Sequence, residues 1–122
     1  GVLSAARQRY GARRLVAVWE PHTFTRIRAL YDDFMGAFDA ADEVVVMPIY
    51  AAREVDDGTL SAAALAADVA HPAVRSAATL EETVTRLSAL TRSGDVVMML
   101  GAGNEYLVGR QLVQRLEEGS AR

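Results

Sequence analysis

An imidazole, two hydroxyls and a guanidinium stand close together in the stretch Trp19-Glu20-Pro21-His22-Thr23-Phe24-Thr25-Arg26. The apolar run Leu15-Val16-Ala17-Val18 just before it reads as a buried strand, and an amphipathic helix follows. His22, Thr23, Thr25 and Arg26 therefore gather where a strand gives way to a helix. Such a junction offers free backbone N–H groups and the positive end of the helix dipole. Two readings are open at this point. Either the segment holds a small anion, a carboxylate or a phosphate, or Thr23 or Thr25 is a plain N-cap and Arg26 a first-turn surface residue.

The composition excludes much other chemistry. All 13 basic residues are arginine, so a phosphate-loop lysine and a Schiff-base lysine are both ruled out. The two histidines, His22 and His71, have no paired-ligand spacing, and no metal site is expected. Cysteine is absent, and no Gly-x-Ser-x-Gly nucleophile motif occurs. No catalytic residue is therefore assigned within the chain. A net charge of −3 without a basic stripe speaks against nucleic acid. No apolar run approaches the roughly 20 residues of a membrane span, so no membrane contact is expected and the cytoplasm is the default compartment. At 122 residues, half of them hydrophobic, the chain reads as one domain with a real core.

Helical and strand-like segments alternate along this domain. Residues 2–10 read as a short helix stopped by Gly11, and residues 14–19 as the first strand. Over residues 26–38 the positions Ile27, Leu30, Tyr31, Phe34, Met35 and Phe38 form one apolar stripe, which predicts a single helix packed on the core. Asp32 and Asp33 fall on its solvated side. Glu43-Val44-Val45-Val46-Met47 reads as the second strand, closed by Pro48, and residues 49–58 as a loop turning at Asp57-Gly58. Ser61 caps an alanine-rich helix to about residue 69, and a weak strand covers 74–77. Thr79 and Glu82 have capping-box spacing ahead of a helix that ends near Gly94. Residues 95–100 form the third strong strand and 105–118 the last helix. His71-Pro72 is read as surface.

This order predicts an α/β fold: a three-layer Rossmann-like domain whose mostly parallel sheet carries helices on both faces. Right-handed crossovers place the loops at 22–26, 50–54 and 101–104 on one sheet edge, the carboxyl edge where open α/β sheets bind ligands. That convergence favours the anion-site reading. Tyr50, Arg53, Gly103 and Asn104 join Thr25 as candidate cleft residues. Gly101-Ala102-Gly103 is no dinucleotide fingerprint, because Tyr106 stands where a small residue is required. A phosphorylated receiver domain also has this size, but needs a lysine that the chain lacks.

The segments Pro21-His22-Thr23-Phe24-Thr25-Arg26, Leu30-Tyr31-Asp32-Asp33-Phe34, Ile49-Tyr50-Ala51-Ala52-Arg53-Glu54 and Gly101-Ala102-Gly103-Asn104 follow one another in that order. In this order they resemble the C-terminal domain of the Mur ligases of bacterial peptidoglycan synthesis, in particular the branch that adds L-alanine. The resemblance covers nearly the whole chain. It implies that residues 1–122 are the amino-acid-binding domain of an ATP-dependent ligase. That enzyme joins L-alanine to UDP-N-acetylmuramate, which is held with ATP and Mg by domains outside this chain. In the family reaction the sugar's carboxylate becomes an acyl phosphate, which the amine of alanine attacks. Closure of the third domain presents the amino acid, a positioning contribution.

By position, His22 and Arg26 are implied to hold the alanine carboxylate, with Thr23 standing where some members have Arg. Pro48 and Leu107 depart from the family pattern, at positions where Asp and Lys are common. Members also carry a strand with an Asp-Asp-Tyr-x-His-His-Pro segment ahead of the helix that opens here. The resemblance therefore implies a domain without its first strand, inactive by itself, with an open sheet edge to be covered by self-association. The competing reading is an autonomous α/β module binding a small anion or nucleotide.

Overall fold

The computed structural model describes residues 1–101 and 103–120. Four strands form one parallel sheet: β1 (Leu15–Trp19), β2 (Glu43–Val46), β3 (Val74–Ser76) and β4 (Val96–Leu100), in the spatial order β3-β2-β1-β4. The register sets Val18 beside Val45 on one side and Met99 on the other. Every residue of β1 is buried, as a central parallel strand covered on both faces requires.

The side-chain alternation of the strands separates two cores. Leu15, Ala17, Trp19, Val44 and Val46 point to the face covered by α1 (Val2–Tyr10), α2 (Phe24–Ala29), α3 (Tyr31–Met35) and α4 (Ala62–Asp68). Val16, Val18, Val45 and Met47 point to the opposite face. There they meet Val84 and Leu87 of α5 (Leu80–Leu90) and Val108 and Leu112 of α6 (Glu105–Ser120). The expected three layers are thus present. β4 is an edge strand, and all five of its residues are only half-buried.

The local caps formed where short-range spacing placed them. Ser61 Oγ accepts from Ala64 N at 3.1 Å and Thr79 Oγ1 from Glu82 N at 3.0 Å. Glu82 reaches back one residue further than a capping box requires, to Ala78 N at 3.2 Å.

Two expectations are corrected. The helix expected over 26–38 begins at Phe24, breaks at Leu30 (φ −118°) and resumes as α3, which Gly36 ends. The stripe survives the break. Ile27, Met35 and Phe38 are buried, and Phe34 and Phe38 stack on Trp19 at 5.1 and 5.4 Å between ring centroids. His71 is not simple surface. Its Nδ1 accepts from Ala73 N at 3.0 Å, which leaves Nε2 to donate to Ala41 O at 2.7 Å, so the ring ties the approach to β3 to the approach to β2.

Candidate functional site

Strand order explains where the site lies. From β1 the chain winds outward through β2 to β3, and α5 then returns it across the other face to β4, on the far side of β1. The switch point is therefore between β1 and β4, and ligands of open α/β sheets bind outside the carboxyl ends there. Glu20 N donates to Leu100 O at 2.8 Å, extending the β1–β4 ladder one step to the mouth of this crevice.

The three expected loops converge on it. Tyr50 N donates to Pro21 O and Thr23 N to Tyr50 O, both at 2.8 Å, forming a bridge between His22 and Tyr50. Their rings lie 5.3 Å apart. From the third loop, Asn104 N donates to the Glu20 carboxylate at 3.0 and 3.2 Å. Gly103 sits so close that a Cβ there would lie 3.0 Å from Glu20 Oε1 and 3.3 Å from the Tyr50 ring. Ala102 of the same motif lies outside the described residues.

A cavity of about 840 Å³ opens beside these loops. Trp19, Phe34, Phe38 and Leu100 supply apolar wall, while His22, Arg26 and Glu20 supply polar groups. Arg26 is exposed at its rim, and among the described residues its guanidinium has no ion-pair partner. The arrangement suits a small ligand with an anionic end. Arg26 and His22 line the same cavity and offer such an end charge-assisted hydrogen bonds, with aromatic side chains along the rest of the wall.

The remaining candidates have other tasks. Thr23 is the N-cap of α2: its Oγ1 accepts from Arg26 N at 3.3 Å, and its φ of 58° is unusual for a threonine. The free N–H groups expected at the start of α2 are not free, because Glu54 already occupies that position. Its carboxylate accepts from Phe24 N at 2.6 Å, Thr25 N at 3.2 Å and Thr25 Oγ1 at 2.5 Å. The Thr25 hydroxyl, with these two N–H groups, holds Glu54 below the usual carboxylate range. An anion at this junction therefore has to be met by side chains and not by the helix end. Thr25 is committed to Glu54, and Arg53 is exposed and does not line the cavity.

Sequence reasoning passed over Glu20. It is 1% exposed, and burial pushes its carboxyl pKa upward. No local pattern marks it, because the turn after β4, 84 residues further on, is what covers the carboxylate.

Fold and site together define a doubly wound α/β domain with a cavity beside its topological switch point. A sequence profile described as "Mur ligase, glutamate ligase domain" matches residues 1–103. The chain belongs to the Mur ligase family and represents its C-terminal domain. It is similar to the UDP-N-acetylmuramate--L-alanine ligase of Roseiflexus sp. (strain RS-1), at 41% identity over 95% of this chain and 25% of the relative. The ligase of that name from Desulfitobacterium hafniense (strain Y51) is 44% identical over 91% of this chain and 25% of its own length. That from Frankia casuarinae is 42% identical over 93% and 24%. The chain thus spans about a quarter of the length of these relatives. In fold it resembles a solved domain from Haemophilus ducreyi 35000HP, described as from a putative UDP-N-acetylmuramate:L-alanyl-gamma-D-glutamyl-medo-diaminopimelate ligase. The TM-score is 0.66 at 21% identity, covering 94% of this chain and 78% of that one.

Proposed function

We propose that this chain is the amino-acid-binding domain of an ATP-dependent ligase that adds L-alanine to UDP-N-acetylmuramate in peptidoglycan precursor synthesis. The observation that carries the reading is the pairing of His22 and Arg26 at the cavity beside β1 and β4. Arg26 takes the alanine carboxylate in charge-assisted hydrogen bonds, and His22, steadied by Tyr50, orients it. A carboxylate fixed in this way points the amine of alanine outward, toward the domain that carries the activated acceptor. This is catalysis by positioning.

ATP and Mg are held mainly outside this chain. With no lysine and no phosphate-binding loop, these residues do not fit a triphosphate, and among the described residues no cluster of three or more His, Asp or Glu could hold a metal ion. ATP supplies the activation of the acceptor carboxylate. The enzyme works in the cytoplasm, where its soluble nucleotide-linked substrate would be found. No described helix is long and apolar enough to cross a membrane. The half-buried edge strand β4 supports pairing of the isolated chain with a second copy, which a concentration-dependent mass measurement checks.

The test is ATP-dependent phosphate release by the longer polypeptide that contains this chain, with UDP-N-acetylmuramate and a panel of free amino acids. Release that requires L-alanine is the expected result. Release with no amino acid of the panel overturns the reading and favours an autonomous anion-binding module.

A further inference from the structure

Glu20 and Glu105 raise a question that substrate binding does not answer. Glu20 closes β1 and is 1% exposed, with both carboxyl oxygens turned to Asn104 N. Glu105 opens α6 immediately after that turn, and its Oε2 is buried with no hydrogen-bond partner among the described residues. A buried acceptor without a donor is destabilising. An ionised Glu20, buried and with Glu105 as a like-charged neighbour, adds to that cost.

One proton resolves both problems. If Glu20 is protonated, its O–H can donate to Glu105 Oε2 while its other oxygen still accepts from Asn104 N. We propose that Glu20 is held as the neutral acid, its O–H aimed at Glu105 Oε2, and that it is thereby a positioning residue holding the turn after β4 against the His22–Tyr50 loops. The inference stands on these two carboxyl groups and does not depend on which ligand the cavity takes.

Surrounding geometry agrees. The turn lies against Glu20 so tightly that a Cβ on Gly101 would fall 2.8 Å from Glu20 Cβ. Burial raises the Glu20 pKa most, the neighbouring Glu105 carboxyl adds to the rise, and the N–H groups of Asn104 and Glu105 oppose it. Other titratable or charged groups packed around the pair are Tyr50 against Gly103, and His22, Arg26 and Asp39 lining the adjacent cavity.

A carboxyl whose folded pKa lies above its unfolded value contributes stability that is complete below the unfolded pKa and is lost as pH rises through the folded one.

Glu20→Gln provides the test, because a glutamine amide is a permanent copy of the protonated acid, with a carbonyl for Asn104 N and an N–H for Glu105. We expect it to fold, to match the parent melting temperature at acidic pH and to exceed it increasingly toward neutral pH. The Glu20 carboxyl carbon resonance of the parent chain should titrate above the ordinary range. Glu105→Gln should return Glu20 toward that range by supplying a fixed donor. A Glu20 titration in the ordinary range, or a Glu20→Gln deficit that is constant with pH, would overturn the proposal. The readout is the titration of Glu20 and not ligand binding, so it can fail while the ligase reading stands, and the reverse.

Discussion

Gly101→Ala isolates how tightly the turn after β4 is held to Glu20. Gly101 has a φ of +150°, a conformation that L-residues rarely adopt, and a Cβ there would lie 2.8 Å from Glu20 Cβ and 3.0 Å from Glu20 O. Neither neighbour can retreat freely, because Glu20 N is bonded to Leu100 O at 2.8 Å. The conformational strain costs about 1–3 kcal/mol. Forcing a methyl into filled space adds about 1–3 kcal/mol. Together these give about 2–6 kcal/mol, which at about 4 °C per kcal/mol for a domain of this size lowers Tm by about 8–24 °C.

Gly109→Ala is the matched control. It lies within α6, its added Cβ would sit an ordinary 3.7 Å from Met99 Cγ, and its φ is not in the left-handed region. Alanine should stabilise that helix by about 0.5–1 kcal/mol and raise Tm by about 2–4 °C. Thermal unfolding followed by circular dichroism on both variants is the assay. A Gly101→Ala melting point within about 2 °C of the parent would refute the packing argument, whatever the control does.

At the opposite end of the sheet, burial pushes the Asp95 pKa up, but the Arg14 guanidinium, at 3.0 Å, and Arg92 N–H overcome it and leave the carboxyl below its usual range. A depressed folded pKa means that this stability is present above the unfolded value and is lost as pH falls through the folded one. Asp95→Asn should therefore melt below the parent at pH 7, with a gap that closes in acid; a gap independent of pH in a melting series would contradict the assignment. Glu54→Ala should release the start of α2, seen as faster hydrogen exchange at Phe24 and Thr25 than in the parent, with α5 amides unchanged.

Much of this was legible in the sequence, for physical reasons that differ by element. β1 and β2 are continuous apolar runs because both of their faces are covered. Ser61 and Thr79 were readable because a cap and its N–H partner lie three residues apart. Glu54 was not readable in this way, since its partners lie 29 and 30 residues away and no local spacing encodes them. The break at Leu30 was hidden because the apolar stripe persists through it. Within the site, His22, Arg26, Tyr50 and Asn104 could be placed from strand order alone. The burial of Glu20 depends on how the turn after β4 folds onto it, a contact spanning 84 residues.

The central claim is that Arg26 holds the carboxylate of the incoming amino acid. The direct measurement is the KM for L-alanine of the complete ligase carrying Arg26→Ala, at saturating ATP and UDP-N-acetylmuramate. Loss of a hydrogen bond to a charged group costs about 1.5–3 kcal/mol. At a factor of ten per 1.4 kcal/mol, KM should rise about 10- to 150-fold, with the KM for ATP unchanged. An alanine KM equal to that of the parent enzyme would remove Arg26 from the site and contradict the account.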